Sequence, residues 1–220
     1  MLPYDSGMRT ASVATADTER SEGLRRGLVL EYLSLGWNVL EMVVGFVAGI
    51  AAGSIALVGF ALDSVAEASS AGILVWRLRA EQTHADAAEE AERKAIRLVA
   101  VAFLGLGAYV GGRGIYDLAT RAHPEESALG IGLAVVSLVV MPVLAWRKRI
   151  VAKQLDSRSL QADAKQTTLC TYISAFLLVG LLANSLFGWW WADPIAALAI
   201  AALAVREGFE LWRTEDICCT

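Results

Sequence analysis

Three uncharged stretches limit what this chain can fold into. Met42–Leu62 runs for 21 residues without a formal charge, Ser127–Trp146 for 20 and Gln166–Ala192 for 27. Roughly 20 mostly apolar residues cross the hydrocarbon core of a bilayer. Three such runs in 220 residues exceed what buried soluble helices explain. The composition agrees, with 56% apolar and 19% charged residues. A soluble domain usually carries about 25% charge. The expected fold class is therefore an all-α membrane protein.

The pattern predicts six transmembrane helices, at about Leu28–Ile50, Ser54–Trp76, Ala95–Ala119, Ser127–Trp146, Leu160–Asn184 and Trp190–Trp212. The expected organisation is a tail over residues 1–27, a six-helix domain over 28–212 and a short tail over 213–220. Met1–Gly27 is polar and lacks the apolar core of a secretory signal. Basic residues gather before the first span, after the second (Arg77, Arg79, Arg93, Lys94, Arg97) and after the fourth (Arg147, Lys148, Arg149, Lys153, Arg158). Arg113 and Arg121 are the basic residues of the opposite side. The positive-inside rule then puts both termini in the cytoplasm of a multi-pass cell-membrane protein. Trp76, Trp146, Trp190, Trp191 and Trp212 fall at predicted helix ends, where an apolar ring with one polar N–H is favoured. Gly45, Gly49 and Gly53 form one strip of small residues, and Gly107 and Gly111 another, of the kind that lets helices approach closely.

Function classes drop out for want of their signatures. The net charge of −4 gives no basic nucleic-acid surface, and no nucleotide-binding loop or zinc-finger spacing occurs. Cys170, Cys218 and Cys219 make no disulfide framework.

The informative residues are charges inside the apolar runs. Asp63 and Glu67, in ALDSVAE, are four apart and share a helix face. An ionised carboxylate at mid-membrane costs several kcal/mol unless paired, hydrated or bound to a cation. Two on one face also repel, and a shared cation or proton relieves that repulsion. The pair is thus a cation site, a proton-sharing pair, or a polar lock between helices. The segment QADAKQTTLC offers a second strip, with Asp163, Gln166 and Cys170 spaced by three and four and Ser174 beyond. Two carboxylates, a carboxamide oxygen and a thiolate make four candidate metal ligands: Asp63, Glu67, Gln166 and Cys170. A thiolate leans toward zinc, cadmium or another soft ion. Read alone, Cys170 is more often a small buried apolar residue than a ligand, and only its register with Gln166 brings the two readings level.

Other polar residues are weaker candidates. Asn38 and Glu41 either line an ion path or hydrogen-bond to another helix, and Glu31 reaches water at the cytoplasmic edge. Asp163 caps a helix, pairs with Lys165 or lines an access path. Asp193 before Pro194 reads as helix-start chemistry. His84 among Asp86, Glu89, Glu90 and Glu92 reads as a solvated linker or a loose metal-attracting loop. The adjacent Cys218 and Cys219 lack the spacing of a chelating turn.

The stretches GSIALVGFALDSVAEASS, SRSLQADAKQTTLC and WWADPIAALAIAALAVREG resemble, in order, the second, fifth and sixth spans of the cation diffusion facilitator family. The likeness runs over about residues 28–212 and is nearest the short bacterial members and the related vertebrate vesicle-membrane zinc transporters. The resemblance implies a homodimer, joined through membrane helices, that moves zinc or a similar divalent cation out of the cytoplasm in exchange for protons. It implies a transport site joining Asp63 and Glu67 to the positions of Gln166 and Cys170. Many members carry a His/Asp pair there, so this chain departs at that half. The carboxy-terminal cytosolic domain of many members is also expected to be absent. In the expected mechanism of alternating access, protons compete with the metal for its ligands. The rival expectation is a non-transporting membrane metal sensor or assembly partner.

Overall fold

The structure is a computed structural model that describes residues 6–81 and 88–217. Six helices follow one another: α1 (Ser6–Ala52), α2 (Ile55–Glu81), α3 (Ala88–Thr120), α4 (Ala128–Leu155), α5 (Arg158–Phe187) and α6 (Ala192–Ile217). The chain is an all-α bundle, as its apolar runs demand. His84, Cys218 and Cys219 lie outside the described residues.

The expectation of six transmembrane helices is corrected. Among the described residues four segments are long and apolar enough to cross a membrane: Ser21–Ala52, Ile55–Trp76, Ala128–Leu155 and Asp163–Phe187. The reason lies in α3 and α6. In α3 the uncharged stretch between Arg97 and Arg113 is 15 residues, and in α6 that between Asp193 and Arg206 is 12. Both fall short of the roughly 20 that a bilayer core requires. They pack on each other and against α2.

Small residues set how closely the helices meet. A Cβ on Gly45 would stand 3.0 Å from that of Ala61, and one on Gly49 would stand 3.0 Å from the backbone nitrogen of Val58. This glycine strip is therefore the seam between α1 and α2. Gly107 and Gly111 face Ala201 of α6 in the same way. Gly53 instead takes a positive φ of 64° in the turn from α1 to α2, a conformation that glycine adopts without a steric cost.

The helix ends are capped by side chains. Ser127 accepts from the Gly130 amide at 3.1 Å to start α4, and Ser157 accepts from the Leu160 amide at 3.4 Å to start α5. Asp193 stands in the first turn of α6 but serves a different helix. Its carboxylate accepts from the Ser54 hydroxyl and from the Ala56 amide at 3.4 Å, at the start of α2.

The two ends of the bundle differ in character. At one end Leu24 of α1, Leu78 of α2, Val151 of α4 and Leu160 of α5 form an apolar cluster. The same end carries exposed Arg25, Arg26, Arg147, Arg149 and Lys153. At the other end Trp189 and Trp191 stack with centroids 5.1 Å apart, and both are exposed. Large apolar side chains such as Val29, Leu33, Val47, Val139 and Val179 point outward, as surfaces in contact with lipid do.

Candidate functional site

A polar core sits where α1, α2, α4 and α5 meet. Asp63 and Glu67 project from α2 into the bundle and are buried, at 3% and 4% exposure. Gln166 and Cys170 of α5 are buried as well, as are Asn38 and Glu41 of α1. The 3.6-residue period dictates this grouping, since each pair shares a helix face and each face turns inward.

The tightest gathering of ligand atoms joins three helices. Glu41, Glu67 and Cys170 each offer one atom within 4.8 Å of the other two. The Glu41 carboxylate is aimed by the Trp37 indole, which donates to Oε1 at 2.7 Å, and by Ser64, which donates to Oε2 at 3.4 Å. The Asn38 amide nitrogen donates to Glu67 Oε2 at 3.1 Å and to Glu41 Oε2 at 3.2 Å. Asp63 is not one of the three; it projects one turn before Glu67 on the same face of α2. Gln166 lies one turn before Cys170.

Several polar atoms here have no protein partner. Asp63 Oδ2, Glu67 Oε1 and Gln166 Nε2 are all buried without a hydrogen bond. A buried polar group left unpaired costs about 1–3 kcal/mol, and more when charged. Three carboxylates and a thiol in so little space would repel one another when ionised, and a cation or shared protons bound among them would relieve that repulsion. Oxygen donors with one sulfur suit a borderline-soft ion.

Toward the basic end lies a second polar layer. Lys148 of α4 is 1% exposed, and its ammonium donates to Glu31 Oε2 at 3.1 Å, to Asp163 Oδ2 and to Thr167 Oγ1 at 3.5 Å. Ser70 of α2 donates to Asp163 Oδ1 at 3.4 Å. Asp163 thus pairs with Lys148, a partner that the sequence did not suggest. Glu31, expected at the water edge, is fully buried. The signal for Lys148 was its register. Ser137, Met141 and Leu144 mark the inward face of α4, and Lys148 follows at the next turn. Arg147 and Arg149 on either side concealed it among ordinary flanking charges.

Comparison with known proteins places the chain as a whole. Residues 32–215 match the cation efflux transmembrane domain. An uncharacterised transporter of Synechocystis sp. is 27% identical over 186 residues, 82% of this chain and 60% of its own length. Transmembrane protein 163 of Xenopus laevis is 24% identical over 93% of this chain and 73% of its own. An uncharacterised transporter of Methanocaldococcus jannaschii is 24% identical over 86% of this chain and 66% of its own. The chain thus spans between about three fifths and three quarters of the length of these relatives.

Proposed function

The chain belongs to the cation efflux family, a secondary-transporter fold with no catalytic role, and from that premise we propose that it exports zinc or a similar soft divalent cation in exchange for protons. The observation that carries the reading is the buried meeting of Glu41, Glu67 and Cys170. Asp63 supplies a further carboxylate beside it, and Gln166 stands next to it on α5. Cys170 favours zinc or cadmium over calcium or magnesium, whose preferred ligands are all oxygen. Metal binding needs bare carboxylates and thiolate, so protons and metal exclude each other from these atoms. A proton gradient directed inward then drives the cation outward.

The basic end of the bundle is the cytoplasmic one in this reading. Arg25, Arg26, Arg147, Arg149 and Lys153 gather there, as the positive-inside rule asks of a cytoplasmic face. The transporter works as a homodimer joined through its membrane helices.

The test is metal uptake into proteoliposomes, offering zinc, cadmium, cobalt and manganese with and without a pH gradient. Flux that follows the gradient, and falls at least about tenfold in Asp63→Asn and Glu67→Gln, is the expected result. Normal flux in both variants overturns the site. One observation favours a second reading, a metal sensor without flux: Gln166 stands where many family members carry a charged or imidazole ligand. Saturable zinc binding by inserted protein that moves no metal supports that alternative.

A further inference from the structure

The buried polar side chains form a column that leads in one direction. On α1, Glu31, Ser34, Asn38 and Glu41 recur every three or four residues, and all are buried. On α5, Asp163, Gln166 and Cys170 repeat the pattern. Beyond Ser137 and Ser174, which hydrogen-bond at 2.9 Å, the interior toward the aromatic end includes Leu57, Phe60, Leu133 and Leu177, which separate the column from the buried Ser54–Asp193 pair at the start of α2. The polar column therefore runs from the cation cluster toward the basic end. It spans the ten residue steps from Glu41 back to Glu31, roughly 15 Å of helix.

Lys148 stands across the end of that column. Its ammonium bridges Glu31 of α1 and Asp163 of α5, while Ser70 draws α2 into the same layer. Outside it, the apolar residues Leu24, Leu78, Val151 and Leu160 seal the bundle. With both carboxylates ionised, one ammonium between them would leave the layer one negative charge in excess. The buried Glu31 Oε1 has no hydrogen-bond partner. A second positive charge is therefore attracted to the place that the ammonium occupies. Lys148 is two residues from the exposed Trp146 and carries a flexible four-carbon stem. Such a side chain can turn outward and carry its charge to the interface.

We propose that Lys148 is a tethered cation that closes the approach to the transport cluster, and that an arriving divalent ion displaces its ammonium from Glu31 and Asp163. The proposal rests on the transporter reading above. Two positive charges on the ion outbid the single charge of the ammonium for the two carboxylates. The ion then passes along Ser34 and Asn38 to Glu41, and Lys148 returns behind it.

Cys170 provides a readout that does not depend on flux. In a Cys218→Ser/Cys219→Ser background it is the sole thiol of the 220-residue sequence. A small hydrophilic thiol reagent is applied to right-side-out and to inside-out vesicles. Wild-type Cys170 is expected to react slowly from both sides. Lys148→Met should raise its rate by about tenfold or more from the basic side alone. Lys148→Arg, which keeps a cation between the carboxylates, should stay near wild type. Should the lone Lys148→Met variant fail to fold, the neutral Glu31→Gln/Lys148→Met/Asp163→Asn variant leaves no charge of this layer unpaired and carries the same expectation. Labelling that stays at the wild-type rate, or that rises from both sides, overturns the proposal. Protection of Cys170 by zinc in the opened variant reports separately on the transport site. If the rate rises and zinc does not protect, the gate stands and the cation-site reading falls.

Discussion

Cys170 sets the chemistry of the cluster. Its sulfur is the one soft atom beside the carboxylates of Glu41 and Glu67. Replacing it with serine keeps the size and swaps in a harder oxygen. Cys170→Ser should therefore cut the preference for cadmium over manganese by on the order of tenfold, measured by competition in the uptake assay. An unchanged ranking of ions would show that the sulfur does not touch the cargo. Single residues were unequally legible before the fold was known. Asp63 and Glu67 stood out because two acids one turn apart have no place in an apolar run without a partner. Glu41 was legible only as lining an ion path or bonding to another helix, because what ties it to α2 is Ser64 and the Asn38 amide between Glu41 and Glu67, with Trp37 aiming it from one turn earlier on α1 itself. Lys148 and Glu31 were misjudged for a related reason. A charge near the end of a run looks solvated until its inward register and its partner, 117 residues away, are both known.

Helix starts and helix seams carry the next set of expectations. Asp193 holds the first turn of α2 through Ser54 and the Ala56 amide, although it sits on α6. Asp193→Ala removes a cap and a tie between two helices at once. It should cost about 1–2 kcal/mol in denaturant titrations of the detergent-solubilised protein. A loss no larger than that of a surface substitution would deny it that role. On α3 two glycines separate packing from propensity. A Cβ on Gly107 would stand 3.1 Å from the Ala201 carbonyl oxygen and closer still to Val205, so Gly107→Val forces α3 away from α6. Overpacking of this kind costs about 1–3 kcal/mol. Gly112 has open space around it, and Gly112→Ala should be neutral or stabilising by up to about 1 kcal/mol. Equal effects at the two sites would contradict the seam. The number and order of helices were readable from periodicity alone. The membrane role of α3 and α6 was not, because their charge-free stretches are short and their burial comes from packing on one another and on α2.

The described molecule has a polar interior between apolar clusters, and a cation bound there would make its stability answer to its cargo. Below the cluster stand the Lys148 layer and the apolar seal at Leu78 and Leu160; above it stand Phe60 and Leu177. A cation held between them binds the folded bundle and not the unfolded chain. At a hundredfold excess over its Kd, a bound ligand adds about 2.7 kcal/mol to stability. Zinc should therefore raise the unfolding midpoint of the wild type, and Glu67→Gln should abolish the rise. Lys148→Met should retain it, because the gate is separate from the ligands. The sign of the pH dependence follows from what each state binds. Metal requires bare ligands, so every proton added to Glu41, Glu67 or Cys170 must leave before zinc enters. The zinc-induced shift should be largest at the alkaline end of the pH range in which the metal-free protein stays folded and shrink toward its acid end, with the metal-free midpoint followed at each pH as reference. A shift of equal size at both ends of that range would mean that zinc and protons do not compete in the bundle, and exchange of one for the other would lose its physical basis.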